Sequence, residues 1–283
     1  DSGWPPLLRC IDRCPPILFR WGETNQLRPA RRVAVVGSRH PETGVTTRVT
    51  SLCRELGHVG IATVSGAAEG VDQSAHFGSL EAGVETWAYL GSALDRMESA
   101  QRKLIRPFFD GRGVFYSEFP PGTRASRTTF PRRNRLISAS ADATLIVRAG
   151  ESSGALYTAR DAISQGRPLL AMPGDPWNPA AMGSNALLRS KKAAPCLGVD
   201  DVLAAVGLVG VLTPPLSPQD ETSSLLSDRA AHTLSMLDQS PREFDEILAL
   251  SDRLNSGELA AALLELEIAG CVVQKPGRRY EKR

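Results

Sequence analysis

Short runs rich in β-branched and apolar residues, each leaving through glycine or serine and separated by helix-length stretches, restrict this chain to very few folds. The first run is Val33-Ala34-Val35-Val36-Gly37. Ile61 to Val64 leaves through Ser65-Gly66, and Thr86 to Leu90 ends at Gly91. Gly113 to Tyr116, Ala143 to Val147 and Pro168 to Ala171 follow. Runs of this kind, too apolar to alternate, read as buried parallel strands. The stretches between them, including 71–82, 98–109, 130–140 and 154–165, read as helices. Strand–helix alternation implies an α/β fold: a Rossmann-like parallel sheet with helices on both faces.

The chain has 283 residues, enough for one large domain and a small one. Residues 1–30, with Pro5-Pro6 and Pro15-Pro16, read as an irregular lead-in segment, and 31–207 as the Rossmann-like domain. Residues 208–224 hold Pro214-Pro215 and Pro218 among polar residues and read as a linker. Residues 225–283 read as three helices and a hairpin around Pro276-Gly277, a winged helix. Its third helix, from Leu254, is acidic and apolar, whereas a DNA-reading helix is usually basic and polar. The composition favours a protein-contact or structural role, with duplex binding through the basic hairpin as the alternative.

No run of about 18 apolar residues exists, and no signal peptide is visible, so neither membrane contact nor export is expected. Five scattered cysteines lack zinc spacing and read as reduced thiols of a cytoplasmic protein. The net charge of +2 is uninformative, so any nucleic-acid signal must lie in how charge is distributed.

In a parallel α/β sheet, ligands bind beyond the carboxyl ends of the strands. The first strand exit is Gly37-Ser38-Arg39, a close-approach glycine, a hydroxyl and a planar cation. The helix after it would aim its positive N-terminus at the same place. The second exit runs from Ser65-Gly66 to Gly70-Val71-Asp72 and suits an anion or, equally, a tight turn. Neither is a complete G-x-G-x-x-G or a P-loop, so no nucleotide cofactor is expected.

Between Glu118 and Asp142 no acidic residue occurs, while Arg124, Arg127, Arg132, Arg133 and Arg135 do. Phe130 stands at the head of this cluster, followed by Arg132-Arg133-Asn134-Arg135. Guanidinium groups beside a ring suit a sugar–phosphate strand, because arginine grips phosphate and a ring stacks on a base. A second acid-free stretch, from Pro176 to Val199, adds Arg189, Lys191 and Lys192. Catalysis is poorly supplied: His76 with Asp72 one helical turn earlier reads as a structural pair without a nucleophile. Glu118 reads either as an acid–base group or as a partner of the arginines, and no metal-ligand cluster is visible.

Several ordered motifs resemble the DprA/Smf family of bacterial DNA-processing proteins. They are Val35-Val36-Gly37-Ser38-Arg39, Val64-Ser65-Gly66 through Asp72, and Ser117-Glu118-Phe119-Pro120-Pro121-Gly122. Phe130-Pro131-Arg132-Arg133-Asn134-Arg135, Ser153-Gly154-Ala155-Leu156-Tyr157, Pro173-Gly174 and Gly183-Ser184-Asn185 complete the set. The resemblance implies single-stranded DNA binding without strong sequence preference, homodimerisation, and loading of the RecA recombinase during natural transformation. It carries DNA-binding roles to Arg39 and to the Phe130–Arg135 segment. Gly37, Ser38, Gly66, Gly70, Ser153, Gly154, Arg189, Lys191 and Lys192 complete the candidate site. The sequence departs from the family where Met97-Glu98-Ser99-Ala100-Gln101 replaces a Tyr-Pro-x-x-Asn segment.

The alternative is a related Rossmann-like group of enzymes that cleave nucleoside monophosphates. Their Pro-Gly-Gly-x-Gly-Thr-x-x-Glu loop is replaced here by Ser152 to Arg160, without the glutamate. A third reading is a sequence-specific regulator working through the winged helix.

Overall fold

The computed structural model describes residues 4–22, 31–110, 112–208, 227–237, 240–251, 254–268, 271–275, 277 and 279–282. The chain divides into two compact units, Asp1–Val211 and Leu212–Arg283. Apart from Leu208, the linker expected over 208–224 lies outside the described residues.

The first unit is built on eight strands: β1 Phe19–Trp21, β2 Arg32–Gly37, β3 Ala62–Ser65, β4 Thr86–Tyr89, β5 Gly113–Ser117, β6 Ala143–Val147, β7 Leu169–Ala171 and β8 Ala194–Pro195. Their order across the sheet is β1-β5-β4-β3-β2-β6-β7-β8. Every pairing from β5 to β8 is parallel. The chain builds outward from β2 through β5, then returns to β2's other side with β6. The topological switch point therefore lies at β2 and β6, where crossover loops diverge and leave a crevice.

Helices cover both faces: α1 Thr43–His58, α2 Val71–Glu81, α3 Ser99–Arg102, α4 Ile105–Asp110, α5 Thr129–Ala139, α6 Ala155–Ser164, α7 Met182–Arg189 and α8 Val199–Ala205. Strand side chains alternate between faces. Val36, Val64, Tyr89 and Ile146 form one apolar cluster with Leu136 and Ile137 of α5 and Ala155, Ala159 and Ala162 of α6. Thr63, adjacent to Val64, turns the other way and bonds Ser79 of α2 at 2.7 Å. No described helix is long and apolar enough to cross a membrane.

The lead-in is not irregular throughout. Pro6–Cys10 forms a short 3-10 helix whose Leu8 is fully buried in the core. β1 then pairs antiparallel with β5, Phe19 opposite Ser117 and Trp21 opposite Phe115. Its proline-rich composition hid a three-residue strand, too short for a periodic signal.

The second unit holds α9 Asp228–Ser235, α10 Phe244–Leu250 and α11 Ser256–Ile268, with strands β9 Arg242–Glu243, β10 Val272–Lys275 and β11 Arg279–Lys282. The strands form a small antiparallel sheet in the order β10-β11-β9. Ile247, Leu259, Leu263, Leu266 and Val272 build its core, in the arrangement of a winged helix. The exposed side of α11 carries Ala260, Ala261, Leu264 and Glu267. In the hairpin, Lys275 pairs with Glu281 at 2.9 Å and Arg279 with Glu243 at 2.9 Å. Those two cations are thus met within the unit.

Candidate nucleic-acid interface

A cavity of about 350 Å³ opens at the switch point, beyond the carboxyl ends of β2 and β6. Gly37, Ser38 and Arg39 line one side, and Arg148, Gly150, Ser152, Ser153 and Gly154 the other, with Phe130, Arg133 and Asn134 of α5 between. The first turn of α6 borders it at Ala155, so the positive end of that helix faces the cavity, an arrangement that favours an anion by about 0.3–1 kcal/mol.

Each side chain is held by a local device. The β2 exit passes so close to β6 that a Cβ on Gly37 would stand 1.9 Å from the Val147 carbonyl oxygen. Ser38 donates its N–H to Val147 and receives one at its carbonyl from Val71, which ties the loop to β6 and α2. Gly70 adopts φ +80°, and a Cβ there would lie 2.6 Å from the carbonyls of Ser38 and Arg39. Gly66 and Gly70 thus shape the loops behind the cavity rather than lining it.

Arg133 is only 4% exposed. Its Nη1 donates to the Gly66 carbonyl at 2.6 Å and also to the Tyr89 carbonyl, the ends of two neighbouring strands. Its Nε donates to Asn134 Oδ1 at 3.2 Å, and Asn134 Nδ2 donates onward to the Gly154 carbonyl at 3.3 Å. Burial lowers the guanidinium to about 10, opposed by the pull of Asp72, so it keeps its charge at neutral pH. Asp72 is buried, which raises its pKa against the pull of Arg133, and its carboxylate accepts from the N–H groups of Gly66 at 3.1 Å and Ala68 at 3.3 Å.

Arg39 differs in kind. It is exposed, makes no ion pair among the described residues, and lies over the Phe130 ring at 5.1 Å. Phe130 is half-buried, with the Arg133 guanidinium 5.8 Å from its centroid and its edge against Gly91. The ring read as a base platform therefore already carries two guanidinium groups.

The arginine-rich segment divides by helical geometry. On α5, Phe130, Arg133, Asn134 and Ile137 recur at the spacing of one helix face and line the cavity. Arg132 and Arg135 fall on another face and do not line it. Arg135 pairs with Glu118 at 2.5 Å and donates to the Arg13 carbonyl of the lead-in. Arg132 is exposed, 3.9 Å from Glu118 and over the Phe119 ring. Glu118 is thus a partner of arginines. Arg189, Lys191 and Lys192 lie at the end of α7 and just beyond it, outside the cavity. Lys192 lines a separate groove of about 510 Å³ with Leu156, Ile163 and Leu187.

His76 is likewise structural. It is fully buried, its Nδ1 pairs with Thr86 Oγ1 at 2.7 Å rather than with Asp72, and burial pushes its pKa down to about 3.

The structure adds Arg148, which the sequence reading passed over. It follows β6 in the left-handed region at φ +50°, as does Ala67 beyond β3 at φ +57°. Arg148 Nε donates to Glu42 at 3.2 Å, and its guanidinium lies against Gly174. The sequence carries its signal, a cation directly after the apolar strand Ala143–Val147.

A family model described as DNA recombination-mediator protein A matches residues 1–207, and one for the DprA winged helix domain matches 214–278. Protein Smf of Synechocystis is 29% identical over 100% of this chain and 79% of its own length. The putative DNA processing protein DprA of Mycobacterium tuberculosis is 32% identical over 98% of this chain and 74% of its own. The solved structure of DprA from Streptococcus pneumoniae superposes with a TM-score of 0.66 at 30% identity, covering 72% of this chain and 71% of that one. DNA processing protein A from Helicobacter pylori, described for its single-stranded DNA binding mode, superposes at 0.64 with 27% identity, covering 71% of this chain and 92% of that one. With an α/β sheet, a cationic switch-point cavity and a winged helix all falling inside those matches, this chain belongs to the DprA/Smf family of DNA-processing proteins.

Proposed function

We propose that this protein binds single-stranded DNA by its phosphates in the switch-point cavity. The observation that carries this reading is Arg39, an exposed cation without an ion-pair partner among the described residues, poised over Phe130 at the cavity mouth. Arg133 and Arg148 supply further positive charge, and Ser38, Ser153 and the first turn of α6 supply donors. Such a site grips backbone rather than base edges, which fits binding without sequence preference. The binding mode described for the Helicobacter relative supports the same ligand here. From the family resemblance we also infer a cytoplasmic homodimer that hands the strand to RecA in natural transformation and recombination. Arg132, Arg135, Arg189, Lys191 and Lys192 remain candidates for a strand running beyond the cavity.

The role is binding without catalysis. Asp72 is the carboxylate lining the cavity, and two backbone N–H groups already bond its Oδ2. Incubation with AMP is expected to release no adenine; turnover would return the nucleotide-cleaving alternative. The direct test is anisotropy of labelled oligo-dT across a salt series. Binding that falls steeply with salt, with a slope shallower by about 0.7 in Arg39→Ala, is the expected result. A parent that ignores oligo-dT would remove the proposal.

A further inference from the structure

The loop after β7 holds Trp177, at 85% the most exposed large apolar side chain among the described residues. Its backbone is firmly held. Trp177 N–H donates to Asp175 Oδ1 at 2.9 Å, and Asn178 N–H to the Asp175 carbonyl at 3.0 Å. Asn178 Oδ1 accepts from Ala180 N–H at 2.9 Å. At the base of the loop, Gly174 exchanges two hydrogen bonds with the Asn185 amide, at 3.1 and 3.0 Å. The indole is therefore displayed by an ordered turn.

The same loop forms the cavity wall behind Arg148. Gly174 meets the Arg148 guanidinium so closely that a Cβ there would stand 2.1 Å from Nη1. Asn178 Nδ2 donates at 2.6 Å to Glu42, the carboxylate that also takes Arg148. Ala180 lines the cavity itself. An exposed ring thus projects from the loop that frames a cation of the cavity wall.

Within the cavity the available ring, Phe130, is engaged by Arg39 and Arg133 and packed on Gly91. Outside the cavity lining, the loop behind Arg148 offers a polyanion an exposed aromatic ring, Trp177. The ligand that combines phosphates with flat apolar faces is a nucleic-acid strand. We propose that Trp177 is a nucleobase platform, stacking on a base of the strand as it leaves the cavity past Arg148. This rests on the single-stranded DNA reading and extends it by assigning the strand's exit.

The test uses the full chain with oligo-dT and with an abasic strand of equal length. Trp177→Ala is expected to weaken oligo-dT binding at least about 5-fold, Trp177→Phe to restore most of it, and neither to change the salt slope. All three proteins are expected to bind the abasic strand alike. The chain has 4 tryptophans, so oligo-dT should quench part of the parent's fluorescence, and that part should vanish in Trp177→Phe. Unchanged oligo-dT affinity in Trp177→Ala, an equal loss on the abasic strand, or quenching that survives in Trp177→Phe overturns the assignment. If Arg39→Ala weakens binding while Trp177→Ala does not, this inference alone fails. If the parent does not bind oligo-dT, both readings fall.

Discussion

The Arg133 guanidinium lies against the α-carbon of Gly66 so closely that a methyl group there would stand 2.3 Å from Nη1. Glycine is required at the β3 exit because a buried cation occupies the space a side chain would take. Gly66→Ala is expected to push Arg133 off the carbonyls of Gly66 and Tyr89, exposing the unpaired groups to a penalty of about 1–3 kcal/mol each. A lowered urea midpoint together with loss of oligo-dT binding would show this; an unchanged midpoint would mean the guanidinium has room to shift.

Arg133 and Arg39 separate stability from binding. Arg133→Ala removes a donor from two buried carbonyls and is expected to lower stability by roughly 2–4 kcal/mol. Arg39→Ala, at an exposed position, is expected to change stability by no more than about 0.5 kcal/mol while reducing the salt slope of binding. Thermal melts beside anisotropy titrations distinguish the two, and equal stability losses would contradict the assignment.

In the proposed binding mode Glu42 would compete with phosphate for Arg148, with which it already pairs at 3.2 Å. Its own backbone N–H, the Asn178 amide and then Arg148 donate to its carboxylate, and these bonds hold its pKa below the ordinary value. Glu42→Gln keeps an acceptor but removes the charge. Tighter oligo-dT binding at low salt, with a slope steeper by about 0.7, is expected if Arg148 then meets a phosphate. Weaker binding would mean that Glu42 chiefly positions the loop.

His76 makes stability depend on acid. Its folded pKa lies near 3 against an ordinary 6.5 because burial opposes the charged ring. The unfolded chain therefore binds more protons between those values. The stability tied to neutral His76 is complete above about pH 6.5 and is lost as pH falls toward 3, roughly 5 kcal/mol in all. Asp72, with a raised folded pKa, acts in the opposite sense: its share is present below its ordinary value and lost as pH rises through the folded one. His76→Asn is expected to be less stable at neutral pH yet flatter across the acid limb, as read by urea midpoints from pH 3 to 7.

Strand identity and order of chemistry were readable because buried parallel strands write themselves as apolar runs ending in glycine, as at Val33–Gly37. Arg39 and Arg133 were found by their company, a glycine–serine exit and an acid-free segment. What the linear reading blurred was direction. Arg132 and Arg135 neighbour Arg133 in sequence, yet a helix turns them toward Glu118, seventeen residues or fewer away and outside the cavity. Arg148 was missed because it stands alone between an apolar strand and a glycine-containing loop. β1 left no trace because its partner β5, not its own three residues, determines it.

Arg148 occupies a backbone conformation that glycine adopts without steric penalty and asparagine tolerates, whereas most other L side chains there give up about 1–2 kcal/mol. With Arg148 in its proposed anion-binding role, selection for thermal robustness and selection for binding would pull this codon in opposite directions. A library of variants screened only for heat resistance should drift to glycine or asparagine at position 148, yielding hardier proteins that hold nucleic acid less well. The same screen performed in the presence of ligand should keep the arginine.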